Sequence, residues 1–200
     1  MIALAMTSTV AFAGVAAAPA PKRDPLVYVA MGDSYTSGPL VLPHDTSFVP
    51  QDCGQSYGNY PHIAARWMHA DVFRDVSCGA ATIDDFAESQ TSPAFGNKVK
   101  PQYDALNKDV DVVTVGIGGN DVGFVGFALG CIRPDPESGS MKPCTPDYVH
   151  NGVDAMTLQF AKLKIKLGSA LDEIHRRAPN ARVFVVSLSL IHISEPTRPY

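Results

Sequence analysis

Leu26-Val27-Tyr28-Val29-Ala30-Met31-Gly32-Asp33-Ser34 is a short, unbroken apolar run that stops at a glycine and an acid. Such a run reads as a strand buried on both faces and followed by a tight turn. Strands that are apolar throughout, rather than alternating, belong to parallel sheets covered by helices on both sides. Working outward, comparable strand runs are expected at residues 72–78, 111–118 and 182–187. Residues 60–69 put Ile63, Ala64, Trp67 and Met68 at helical spacing, with Pro61 suited to a first turn. Residues 153–177 carry Met156, Phe160, Leu163, Leu167, Leu171 and Ile174 at three- and four-residue steps, an amphipathic helix that stops before Pro179. Residues 80–106 are mixed. Residues 121–148, rich in Gly and Pro and holding two cysteines, are expected to form a long stapled loop that shapes a rim. Strand, helix, strand, strand, helix, strand indicates a mostly parallel α/β layer fold.

The bulk numbers agree with one ordinary domain: 200 residues, 46% hydrophobic and 18% charged. Sixteen Lys and Arg against twenty Asp and Glu give a net charge of −4 without a basic cluster, so no nucleic-acid or anionic-membrane partner is expected. Residues 1–18 are small, apolar and uncharged and run into Ala-rich cleavage frames, so residues 1–20 are expected to be the later part of a secretory signal. The stretch falls short of the roughly 20 residues a stable membrane span needs. The four cysteines, Cys53, Cys78, Cys131 and Cys144, include no C-x-x-C pair, which favours disulfides over a metal site. Three pairings are open, and the sequential one closes the shortest loops, worth about 3 kcal/mol each in the chain-entropy model.

Three short blocks stand just past three of the strand runs: Gly32-Asp33-Ser34-Tyr35-Thr36-Ser37-Gly38, Ser77-Cys78-Gly79-Ala80-Ala81-Thr82 and Gly116-Ile117-Gly118-Gly119-Asn120-Asp121. Ligands of open α/β sheets bind beyond the carboxyl ends of the strands, so Ser34 is placed where a nucleophile can act. Glycines let the main chain approach a ligand, and an Asn amide can donate to an oxyanion. Each block alone reads as a capped turn. The first is not the G-x-S-x-G elbow, because Thr36 stands where that pattern has its second glycine, and the third lacks the last glycine of a dinucleotide fingerprint.

Together, in this order and spacing, the blocks resemble the SGNH/GDSL hydrolases, especially the secreted actinobacterial lipases and esterases. The resemblance spans about residues 26–187. It implies a flavodoxin-like three-layer sandwich, here reaching the fourth strand, and a serine carboxylic-ester hydrolase that works through an acyl-enzyme with no cofactor and no metal. It implies Ser34 as nucleophile and, through its own N–H, as one oxyanion donor, with the Asn120 amide as another. The backbone donor of the second block falls on Ala80, with Gly79 one residue early, and the choice between them stays open. The resemblance also implies the disulfides Cys53–Cys78 and Cys131–Cys144, a small-molecule or lipid ester as substrate, and an extracellular monomer at full length.

The family's Asp-x-x-His block has no match at the corresponding position. Asp147–His150 and Asp172–His175 have the spacing but stand elsewhere, and are expected to be a loop and a solvated helix face. Residues 188–198 read as the peptide that a transposase-based sequencing-library adapter encodes, so residues 21–187 are expected to be the N-terminal part of the hydrolase domain, residues 188–200 a non-native tail, and His192 not catalytic. Two rival readings remain: an acetyl-carbohydrate esterase of the same fold, and an exported binding domain without catalysis.

Overall fold

A computed structural model describes residues 24–92, 94–132, 134, 137, 139–140 and 148–187. The signal-like N-terminus, the pairing of Cys131 with Cys144, and the tail from 188 lie outside the described residues. Four strands, β1 (Val27–Gly32), β2 (Val72–Asp75), β3 (Val112–Gly116) and β4 (Arg182–Val185), form one sheet in the order β2-β1-β3-β4. Every neighbouring pair is parallel. The chain leaves β1 for one side and returns to its other side as β3, so the order reverses between the carboxyl ends of these two strands, where such sheets bind ligands.

The helices are α1 (Ser34–Ser37), α2 (Phe48–Cys53), α3 (Tyr60–Met68), α4 (Phe124–Cys131) and α5 (Ala155–Arg177). Asn59 starts α3 by accepting the His62 N–H, and His69 ends it in the left-handed region. This helix covers one face of the sheet, setting Ala65, Ala64 and Met68 against Tyr28, Ala30 and Val112. Trp67 and Ile63, placed on the apolar stripe by spacing alone, are exposed instead, because Pro61 and Ala65 take the buried side. On the other face Leu163, Leu167, Ala170, Leu171 and Ile174 of α5 pack on Val29, Met31, Val113 and Val115. Two 3₁₀ turns, Ile83–Phe86 and Gln102–Ala105, complete that layer. The result is the three-layer α/β sandwich that the strand pattern calls for.

Three local expectations are corrected. The strands after β1 are shorter than their apolar runs. The stretch expected to be one loop contains α4, whose first N–H is held by the Gly119 carbonyl at 2.9 Å; its sequence, Phe124-Val-Gly-Phe-Ala-Leu-Gly-Cys131, hides a helix behind two internal glycines of low propensity. Phe160 stands 54% exposed, one turn beyond the part of α5 that the sheet covers.

Candidate active site

Gly32 and Gly116 are register partners at the ends of β1 and β3. A Cβ on Gly32 would lie 2.3 Å from the Gly116 carbonyl oxygen and 2.3 Å from Thr36 Oγ1, and one on Gly116 would lie 2.5 Å from the same hydroxyl. The two glycines therefore let α1 fold back onto the sheet, where Thr36 Oγ1 donates to the Gly116 carbonyl at 3.2 Å. The Asp33 N–H donates to that carbonyl too, at 3.0 Å, and Asp33 Oδ1 caps α1 by accepting the Tyr35 N–H at 2.9 Å. Ser34, half-buried, is thus the first residue of a short helix held at the strand end from both sides.

Sequence reasoning missed the clamp beneath this turn. The buried Gln102 amide accepts the Gly32 N–H at 2.8 Å and donates to the Gly32 carbonyl at 2.9 Å. A lone Gln 70 residues downstream gives no sequence signal; its place follows only from the packing of the 3₁₀ turn under β1.

The second block is tied to the first by the Cys78 N–H, which donates to the Gly32 carbonyl at 3.0 Å. Cys78 is joined to Cys53 by a disulfide. The Gly79 N–H donates to the Cys53 carbonyl at 2.8 Å, so it is spent on the fold. Ala80 takes the left-handed conformation at φ 62°, which costs a Cβ-bearing residue about 1 kcal/mol or more, and it is exposed on the surface of the turn. The two residues that the sequence left open thus differ: the Gly79 N–H is bonded within the fold, and Ala80 stands exposed on the turn.

The third block closes on the second. Asn120 Nδ2 donates one hydrogen to the Ala81 carbonyl at 2.8 Å, leaving its other amide hydrogen for a ligand. The Asp121 carboxylate accepts the Ile83 N–H at 3.1 Å, capping that turn, and pairs with Lys166 of α5 at 2.8 Å. Burial pushes the Asp33 carboxyl up to about 6, opposed by the Tyr35 N–H, while the Asp121 charge adds to the rise and the Gly119 N–H works against it. A cleft of about 410 Å³ opens beside the first and third turns, lined by Asp33, Tyr35, Gly119, Phe124, Phe160 and Leu163 among others, while Ser34, Ala80 and Asn120 are not among its lining residues. No histidine lines it among the described residues. His150 and His175 are exposed, on a short ribbon strand and on α5.

A parallel α/β sandwich whose first strand delivers a serine to the switch point, with two further turns stitched around it, defines the class of open α/β sheets that carry a site at the strand ends. The chain matches the model of the GDSL-like lipase/acylhydrolase family over residues 30–200, and it belongs to that family. It is 37% identical to Lipase 2 of Streptomyces coelicolor over 190 residues, covering 89% of this chain and 61% of that protein. Among solved structures it is similar to phospholipase A1 of Streptomyces albidoflavus, with a TM-score of 0.60 and 27% identity over 81% of this chain and 59% of the other. It is also similar to the extracellular lipase of Streptomyces rimosus, with a TM-score of 0.55 and 27% identity over 80% and 58%. The chain spans about three fifths of the length of the curated relatives it matches.

Proposed function

We propose that this chain is the nucleophile-bearing part of a secreted lipase or esterase, acting on small-molecule or lipid esters through an acyl-enzyme. Ser34 Oγ attacks the ester carbonyl, and the Ser34 N–H, the Ala80 N–H and the free Asn120 amide hydrogen hold the oxyanion. The carrying observation is the stitching of the three turns through Cys78 to Gly32 and Asn120 to Ala81, which gives donors a fixed relation to Ser34. A histidine base, belonging to the portion of the longer relatives that this chain does not share, takes the Ser34 proton and returns it to the leaving alcohol. The reaction needs no metal and no cofactor. The apolar lining of the cleft by Ile117, Phe124, Phe160, Leu163 and Leu167 favours acyl chains longer than acetyl. Export is supported by the Cys53–Cys78 disulfide, by the Ala-rich N-terminus and by the extracellular description of the Streptomyces rimosus relative.

The test is hydrolysis of a nitrophenyl ester series by the intact protein, with acetylated xylan in parallel and fluorophosphonate labelling of Ser34. The reading expects butyrate or longer to be preferred to acetate, and Ser34→Ala to abolish labelling and lower turnover about 10⁴-fold or more. Preference for acetylated xylan would make the protein an acetyl-carbohydrate esterase, and an unreactive Ser34 would leave a binding domain.

A further inference from the structure

Asp75 closes β2 just before the second block, and its side chain, 4% exposed, is almost withdrawn from water. Three donors converge on the carboxylate. Oδ1 accepts the Ser77 hydroxyl at 2.6 Å and the Ser77 N–H at 3.1 Å, while Oδ2 accepts Asn59 Nδ2 at 2.8 Å. A group that only accepts fits all of them, whereas an amide would set an N–H against one of these donors.

Asn59 carries the contact onward. The same Nδ2 donates to the Ser37 carbonyl at 3.0 Å, at the end of the helix that Ser34 begins. Its Oδ1 accepts the His62 N–H at 3.0 Å and faces His62 Nδ1 at 2.8 Å, so both ends of the amide are filled and its orientation is fixed. On the other side of Asp75, Gln55 Nε2 holds the Asp75 carbonyl at 2.9 Å and the Ser77 carbonyl at 2.7 Å. Ser37, Asn59, Asp75 and Ser77 thus form a buried chain from the first block to the second, separate from the main-chain bond of Cys78 to Gly32. The position is costly for a carboxylate: burial pushes Asp75 up from its ordinary range, and burial likewise holds His62, whose Nδ1 stands 3.9 Å away, toward its neutral form. Asn59 would cap α3 without this carboxylate, so the charge answers to the link it makes.

We propose that Asp75 is a positioning residue: by joining Asn59 to Ser77 it fixes the turn that carries Ala80 against the helix that begins with Ser34, and so sets the spacing of the Ser34 and Ala80 N–H groups. This rests on the reading of Ser34 as nucleophile and of those two groups as oxyanion donors. Asp75 is not among the residues that line the cleft, and it acts through the two turns rather than on substrate. Its loss lets the second block drift from the serine.

The experiment measures nitrophenyl butyrate hydrolysis, melting temperature and amide exchange for the intact protein, Asp75→Asn, Ser77→Ala and Ser34→Ala. Ile174→Ala serves as a buried variant of α5 that loses stability away from the site. Asp75→Asn keeps the shape and turns one acceptor into a donor, so kcat should fall about 10- to 100-fold, as misplacement of up to about 1 Å does. KM should stay within about twofold, because a donor that acts on the transition state leaves ground-state binding alone. Ser77→Ala removes a single contact and should lower kcat less, while Ile174→Ala should melt lower and keep its kcat. In Asp75→Asn the N–H groups of residues 77–81 should exchange about tenfold faster relative to those of β1. Parental kcat in a folded Asp75→Asn, a loss confined to KM, an equal loss of kcat in Ile174→Ala, or unchanged exchange in the second block overturns the proposal. If Asp75→Asn does not fold, Ser77→Ala decides, and parental kcat with parental exchange there overturns it equally. Hydrolysis at the parental rate by Ser34→Ala would instead sink the esterase reading, while amide exchange would still report whether Asp75 holds the second block.

Discussion

β1 and β4 are written in nearly the same alphabet, Val27-Tyr-Val-Ala-Met-Gly32 and Arg182-Val-Phe-Val185, and they meet opposite conditions. All six residues of β1 are buried, with a strand on either side, α3 below and α5 above. Among the described residues β4 pairs only with β3. Its Val183 packs against the core, but Phe184 and Val185 are about half exposed, at 49% and 51%. Phe184 is the register partner of Thr114, on the face that α3 covers further along the sheet. The Arg182 guanidinium over its ring is the cover it has among the described residues. An apolar run therefore announces a strand without announcing what covers it; position in the strand order decides that.

The contrast breaks hardest at the register partners. Gly32→Val should cost about 4 kcal/mol or prevent folding, because its Cβ falls 2.3 Å from a main-chain oxygen that cannot move without parting β1 from β3. Urea unfolding reads this directly, and a variant within about 1 kcal/mol of the parent would show that β1 has slack the geometry denies it.

Deleting apolar bulk in the two strands sharpens the same comparison. Met31→Ala, at 0% exposure, should lose about 3 kcal/mol of stability. In this 200-residue chain Phe184→Lys should change stability by about 0.5 kcal/mol or less, and it should reduce aggregation measured by light scattering, since β4 is the last strand of the sheet among the described residues and a charge there discourages edge-to-edge pairing. Equal losses at both sites would mean that β4 is as well covered as β1.

The smallest effect is electrostatic. The folded-state value of Asp33 lies near 6, above its ordinary value of 3.8, so between these limits the native protein binds more protons than the unfolded chain. Stability then falls as pH rises from about 4 to 6, by about 2 kcal/mol from this group, and Asp33→Asn should remove that share of the slope while leaving the share of Asp75, also raised by burial. Glu173, held low by Arg176 and Arg177, works the other way, its contribution fading as pH drops through the acid range below about 4.5. Unfolding free energies at pH 4, 5 and 6.5 separate the two; a rising slope over this interval would contradict the burial of Asp33.

Most of the layer architecture was legible because the information is local: short Val-rich apolar runs for β1 and β3, a three-and-four spacing for α5. The site blocks were legible as turns by position after those runs, and their order carried the resemblance. What stayed hidden is non-local. Gln102 is an ordinary polar residue until the fold brings it under Gly32. Which of Gly79 and Ala80 has its N–H tied up depends on the distant Cys53 carbonyl, and glycine, the residue built for a left-handed turn, is the one already bonded. Phe160 kept the helical period of a core residue and ran past the end of the sheet into the cleft, which no periodicity can foresee.

The strand order also fixes a timetable. β1 leads the described sheet in sequence, yet its main chain waits for partners far downstream: Val27 is held by Asp111, 84 residues away, and Leu26 by Asp71, 45 residues away. Contacts of such long range close slowly, since the chain must spend loop entropy before any of them is made. Ser34 therefore leaves the ribosome early and acquires its surroundings late, when β3 docks and the Gly116 carbonyl arrives. A half-folded chain in transit carries Ser34 without the contacts that hold its turn at the strand end, so that turn takes its shape only once the sheet has assembled.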